Sequence, residues 1–148
     1  AREAWEEWAE HIKGMKTAVG IEVLSRLFTN YLITIDECGE FLKGILSPNI
    51  GLTIDTTHMA MEEGDLVEPL ERHGEHVKFV HIAENNRQRP GRGHFPFTEV
   101  LGKLRDKGYS GYLSFELDQD YFGRPLLGAP EEELRVGKEV LEGIVGRL

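Results

Sequence analysis

Four short apolar runs, each closed by a carboxylate or an imidazole, set the strongest limit on what this chain can become. Gly20-Ile21 leads into Glu22, and Ile50-Gly51-Leu52-Thr53-Ile54 ends at Asp55, with His58 three residues on. Val77-Lys78-Phe79-Val80 ends at His81, and Tyr112-Leu113-Ser114-Phe115 ends at Glu116. Runs this short and this continuously apolar suit a parallel sheet covered on both faces. A carboxylate at the last position of a buried strand is costly unless something cationic pairs with it. In α/β barrels and open α/β sheets, those strand ends are also where active sites are built.

The intervening segments read as helices. Trp5, Trp8, Ile12 and Met15 recur at three- and four-residue intervals and predict an opening amphipathic helix. A strand follows over Thr17–Val23, then a helix over Asn30–Gly44 with Ile35, Cys38, Phe41, Leu42 and Ile45 facing inward. Ser47-Pro48-Asn49 is turn chemistry before strand Ile50–Asp55. A short helix over Leu66–His73 leads to strand Val77–His81 and a long polar loop, Ala83 to Pro96. Helix Phe97–Lys107 carries Val100, Leu101 and Leu104 on one face, and strand Gly111–Glu116 follows. After a Pro/Gly-rich stretch, the last helix runs Glu131–Leu148, with Leu134, Leu141, Ile144, Val145 and Leu148 inward. The predicted order is α-(βα)₄: an α/β fold of parallel βα units, in one domain by length.

Composition excludes several partners. A formal charge of −9 over 148 residues offers no basic stripe for a phosphate backbone. No apolar run approaches a membrane span, and the charged N-terminus is unlike a signal peptide. The single cysteine, Cys38, rules out an internal disulfide framework and agrees with a reducing cytoplasm. Starting at Ala1 inside a helical pattern, the chain reads as an internal part of a longer protein or a processed product.

Glu22, Asp55, His81 and Glu116 together form a donor set of three carboxylates and one imidazole. It suits Mn²⁺, Co²⁺ or Mg²⁺ better than a thiolate-seeking metal. Such an ion polarises the carbonyl and neighbouring hydroxyl of a ketose and stabilises the enediolate formed on deprotonation. Glu22 and Glu116, from the first and last strands, are placed to flank a substrate as an acid/base pair. His58, just past Asp55, is expected to bond the carbonyl-side oxygen, and Arg87 to neutralise developing charge or fix a hydroxyl. One Glu at a strand end is most often a surface carboxylate; four such endings at equivalent positions are a different matter. His11, His73, His76 and His94 lack that context and read as surface or loop residues. Glu131–Glu133 reads as a helix first turn favoured by the dipole, and Pro90-Gly91-Arg92-Gly93 as a plain turn sooner than an anion cradle.

These residues resemble the ketose 3-epimerases of the D-tagatose 3-epimerase and D-psicose 3-epimerase type, within the xylose-isomerase-like TIM barrels. The matching segments are Ile21-Glu22-Val23-Leu24-Ser25-Arg26, Ile54-Asp55-Thr56-Thr57-His58-Met59, His81-Ile82-Ala83-Glu84-Asn85-Asn86-Arg87, Pro90-Gly91-Arg92-Gly93 and Phe115-Glu116. The resemblance implies Glu22, Asp55, His81 and Glu116 as ligands of a divalent metal, Mn²⁺ foremost. It implies Glu22 and Glu116 as the acid/base pair and His58 and Arg87 as contacts to a small sugar substrate. It further implies that the chain is the C-terminal half of a TIM barrel, with strands resembling five to eight. A complete barrel needs about 250 residues, so a half is closed either by a second copy or by the missing N-terminal half. Three departures from the family pattern bear on the pocket: Phe28 where a Glu is frequent, Ile82-Ala83 for Thr-Gly, and Leu117 for Pro.

Rival readings are an aldose–ketose or hydroxypyruvate-type isomerase using the same shell, and a non-catalytic half-barrel assembly module. An endonuclease IV-like repair enzyme shares the fold, but the acidic balance and the lack of further His and Asp ligands for a multi-zinc cluster argue against it.

Overall fold

The structure, a computed structural model, describes residues 2–45, 47–117 and 126–148. Its centre is a parallel sheet of four strands in the order β1-β2-β3-β4: β1 Val19–Glu22, β2 Ile50–Asp55, β3 Val77–Ile82 and β4 Leu113–Phe115. Sequential neighbours in a parallel sheet are the product of repeated βα crossovers, and the helices cover one face. Register aligns the chemistry: Glu22 lies opposite Thr53, Asp55 opposite His81, and His81 opposite Ser114.

The helices bury what periodicity asks of them. The first, α1 (Arg2–His11), buries Ala9 and is followed by a turn through Gly14 at φ +80°. Ile12 is buried beyond its end, and Trp5 packs against the core. Trp8, within the helix, and Met15, beyond its end, stay exposed, so the expected apolar stripe is only partly buried. The Asn49 amide reaches the carbonyls of Ile12, Met15 and Thr17 and ties this turn to the start of β2.

The second helix, α2, spans only Ile35–Leu42, shorter than the expected Asn30–Gly44. Thr34 caps it, accepting a bond from the Glu37 amide, and Leu32 at φ +56° stops the helix extending backwards. Ile35, Cys38, Phe41, Leu42 and Ile45 are all buried as expected. Burial pushes the Cys38 thiol up to about 12, so it behaves as a small apolar core residue.

A helix the sequence pattern did not announce, α3 (Thr56–Glu62), starts directly at the end of β2. Its cap is Asp55, which accepts from the Thr57 and His58 amides, so the strand-ending carboxylate also begins a helix. Then come α4 (Glu68–His73), α5 (Phe97–Asp106) and α6 (Pro130–Val145). His73 is buried, 4% exposed, its ring against Gly39 and its Nε2 3.3 Å from Asp36. The surface reading of His73 is therefore corrected, because the contact that buries it comes from α2.

In α6, Leu141 is buried and Ile144 and Leu148 pack on the core, but Leu134 and Val145 are exposed. Gly137 and Glu133 face inward in their place. The Pro/Gly-rich stretch expected before α6 lies largely outside the described residues. No helix among the described residues is long and apolar enough to cross a membrane.

Candidate metal centre

All four strand-end residues converge. One ligand atom each from Glu22, Asp55, His81 and Glu116 lies within 4.8 Å of the others. The backbone accounts for this. Alternation in parallel strands sends Glu22, Asp55 and His81 to the face opposite the helices, and Glu116 follows β4 with its amide bonded to the Ile82 carbonyl. The His81 Nδ1 sits 3.0 Å from Glu22 Oε1 and 2.6 Å from Glu116 Oε2. A neutral imidazole nitrogen carries at most one hydrogen, so it cannot serve both carboxylates. Glu116 Oε2 is in fact buried without an acceptable hydrogen bond.

Electrostatics sharpens the point. Asp55 is fully buried at its side chain and pairs with Arg87 Nη1 at 2.5 Å, while Arg87 Nη2 lies 3.5 Å from Glu116 Oε1. Three carboxylates and one guanidinium leave two negative charges, the complement of a divalent cation. Two like charges about 5 Å apart repel by about 3 kcal/mol at an effective dielectric near 20. Consistent with that strain, burial first and the Asp55 charge second push the Glu116 carboxyl above its ordinary range, with Arg87 opposing. The crowding of two carboxylates on one His81 nitrogen and the donor set both fit a hard or borderline divalent metal held by Glu22, Asp55, His81 and Glu116.

The other two expected site residues also lie here, in settings the sequence did not foretell. His58 lies in the first turn of α3, 2% exposed, with the Phe28 ring edge-on at 5.6 Å. Burial pushes its imidazole below the ordinary value, against the pull of Asp55, which favours the neutral form with one donor and one acceptor nitrogen. The loop that carries Phe28 is clamped to α3 by Arg26, whose amide and guanidinium bond Glu62. Arg87 is 3% exposed and sits beside the carboxylates, with Thr57 Oγ1 3.4 Å from Nη1.

Four residues that the sequence left without a site role prove to tie together the segments around the site. Glu84 is buried, and its two oxygens accept from the Gly91 and Phe95 amides at 2.8 and 2.9 Å. Thr57 Oγ1 donates to the Glu84 carbonyl at 3.0 Å and Thr56 Oγ1 to that of Ala83 at 2.5 Å, joining α3 to the end of β3. Glu133 lies in the first turn of α6 as expected, but it is buried and takes a two-pronged bond from Arg92 at 2.7 Å on each oxygen. Pro90-Gly91-Arg92-Gly93 is thus more than a plain turn, since it wraps a carboxylate of its own chain. The sequence signal available was Glu84 followed by the close glycines Gly91 and Gly93.

The sequence pattern of the Xylose isomerase-like TIM barrel family matches residues 1–143. Among curated relatives, the D-psicose 3-epimerase of Ruminiclostridium cellulolyticum is 38% identical over 97 residues, 65% of this chain and 33% of that one. The ketose 3-epimerase of Arthrobacter globiformis is 33% identical over 108 residues, 73% of this chain and 37% of that one. A crystal structure of a D-psicose 3-epimerase in the presence of D-fructose superposes with a TM-score of 0.89 at 27% identity, covering 98% of this chain and 55% of that chain. The chain spans about a third of the length of these curated relatives and about half of the solved chain.

Proposed function

Because this chain belongs to the xylose isomerase-like TIM barrel family, we infer that it supplies the metal-holding half of a sugar 3-epimerase acting on ketoses. The observation that carries this is the convergence of Glu22, Asp55, His81 and Glu116 within 4.8 Å at the ends of β1 to β4. A divalent ion there, Mn²⁺ before Co²⁺ or Mg²⁺, would polarise the sugar's carbonyl and hydroxyl oxygens and stabilise charge on them.

The chain's own residues then do the following. Glu22 ends β1 and Glu116 follows β4, the two outer strands of the sheet, so the two carboxylates reach a sugar bound above the cluster from opposite sides. One carboxylate takes the proton from the carbon alpha to the carbonyl, giving the substrate's enediolate. The other carboxyl returns a proton to the opposite face, and the configuration at that carbon inverts. His58, favoured in its neutral form, donates to the carbonyl-side oxygen. Arg87 neutralises charge from beside Asp55 and Glu116. A cytoplasmic setting, suggested by the lone cysteine, belongs to the same proposal.

The site requires a second wall. Both β1 and β4 are edge strands. An apolar cleft of about 270 Å³ lined by Ala4, Trp5, Trp8 and Val19 lies beside β1. Phe79, two residues before His81 on the same face, is 42% exposed, and Tyr112 is 93% exposed. Such edges and patches are covered in stable proteins. We place there either the remaining four strands of a barrel or a second copy of this chain. Light scattering that found a monodisperse, folded monomer would count against both.

The deciding assay incubates the chain, alone and completed to a barrel, with ketohexoses and Mn²⁺ and follows the products by NMR. Epimerisation keeps the carbonyl at C2; a carbonyl moved to C1 would instead identify an aldose–ketose isomerase on the same shell. No Mn²⁺-dependent turnover in the completed barrel would leave a non-catalytic module.

A further inference from the structure

Arg87 stands in a conformation that needs support. Its φ of +61° lies in the left-handed region, which costs a non-glycine residue about 1 kcal/mol or more and persists only where the surroundings enforce it. Its guanidinium must nevertheless reach Asp55, Thr57 and Glu116 at once. The enforcing group is three residues earlier. The Glu84 carbonyl accepts from the Arg87 amide at 2.9 Å and the Glu84 amide donates to the Gln88 carbonyl at 2.8 Å, closing a tight turn. The Glu84 carboxylate anchors that turn from the other side, one oxygen on the Gly91 amide and the other on the Phe95 amide. Hydrogen bonds shielded from water are electrostatically stronger, and here the bond from Phe95 is buried and that from Gly91 part-buried.

Gly93 completes the cradle: a Cβ there would come within 2.6 Å of Glu84 Oε2 and 2.5 Å of Asn85 Oδ1. The loop is also fixed at its far side, by Arg92 on Glu133 and by Gln88 Oε1 accepting from the Leu127 amide. The two Glu84 oxygens are taken by the Gly91 and Phe95 amides, and Glu84 is not among the four residues that converge at the strand ends.

We propose that Glu84 is a positioning residue: its buried carboxylate, cradled by the Gly91 and Phe95 amides, holds the turn that sets the Arg87 guanidinium against Asp55 and Glu116. The proposal rests on the epimerase reading only for the use made of Arg87. Its test needs neither metal nor substrate, so failure of one is distinguishable from failure of the other.

The experiment measures hydrogen exchange in the metal-free chain by NMR. It follows the Arg87 Nε–H signal, assigned by its loss in Arg87→Lys, beside the backbone amides. Glu84→Gln weakens the cradle, while Gly93→Ala crowds it without removing the carboxylate and serves if Glu84→Gln does not fold. Either variant is expected to accelerate exchange at Arg87, Gly91 and Phe95 about tenfold or more, with amides in β1 and α2 unchanged. Unchanged Arg87 exchange with faster Gly91 and Phe95 would overturn the proposal, showing that Glu84 only holds the loop. Uniform acceleration across all core amides in both variants would overturn it too, as a loss of global stability.

Discussion

Replacing Arg87 by Met should be among the most damaging single changes in the chain, and its cost can be worked out from its partners. The Arg87 and Asp55 side chains are 4% and 0% exposed. The change removes the cation from a carboxylate that cannot return to water. Breaking such a buried pair on one side costs about 3–5 kcal/mol. Asp55 keeps two bonds at Oδ1, from the Thr57 amide at 2.7 Å and the His58 amide at 3.3 Å, while its Oδ2 loses its Arg87 partner. The retained bonds place the expected loss near the lower end, about 3 kcal/mol, against a total of about 5–15 kcal/mol for a domain. Urea unfolding at neutral pH with a chelator present reads it as a lower midpoint at unchanged slope. In a melt it is a fall of about 6–12 °C. Adding Asp55→Asn to Arg87→Met removes both charges, so the double variant should lose clearly less than the sum of the singles. An Arg87→Met midpoint within about 0.5 kcal/mol of the parent, or strict additivity in the cycle, would refute the claim that this pair is desolvated and mutually dependent.

Three further outcomes are expected. Mn²⁺ at about a hundredfold above its dissociation constant should stabilise the metal-stripped chain by about 2.7 kcal/mol, and Glu116→Gln should blunt that rise in a thermal melt; an equal rise in both proteins would remove Glu116 from the shell. Gly39→Ala drives a Cβ into the buried His73 ring and should cost about 1–3 kcal/mol in the same urea assay, as overpacking does. Arg92, and behind it Arg89, hold the Glu133 carboxyl below its ordinary range. That stabilisation is therefore complete above the carboxyl's unfolded pKa and is lost as pH falls through the lowered native one; Glu133→Gln should lower the melting point at neutral pH and flatten its acid limb.

Periodicity in the chain was enough to place all four strands and the inward faces of α2 and α5. Those features depend on neighbours one to four residues apart, and burial of Ile35, Cys38, Phe41, Val100, Leu101 and Leu104 follows that local pattern. The gathering of Glu22, Asp55, His81 and Glu116 was legible for a related reason. Parallel strands in sequential order bring equivalent C-terminal ends together, so position along a strand already implies position in space. The helix α3 escaped notice because the residue that ends a strand also caps it, and a capping Asp without a long apolar stripe behind it is a weak signal.

By itself, then, the sequence determined the α/β architecture, the strand ends and a donor set suited to a divalent cation. Only the tertiary structure decided which charges are buried against which. Arg87 meets Asp55 across 32 residues, Arg92 meets Glu133 across 41, and Arg26 meets Glu62 across 36. Glu84 finds its partners in the backbone of a loop whose side chains suggested only a turn. Whether a carboxylate is solvated or desolvated depends on what folds over it, and residues that distant in the chain leave no local pattern for periodicity to read.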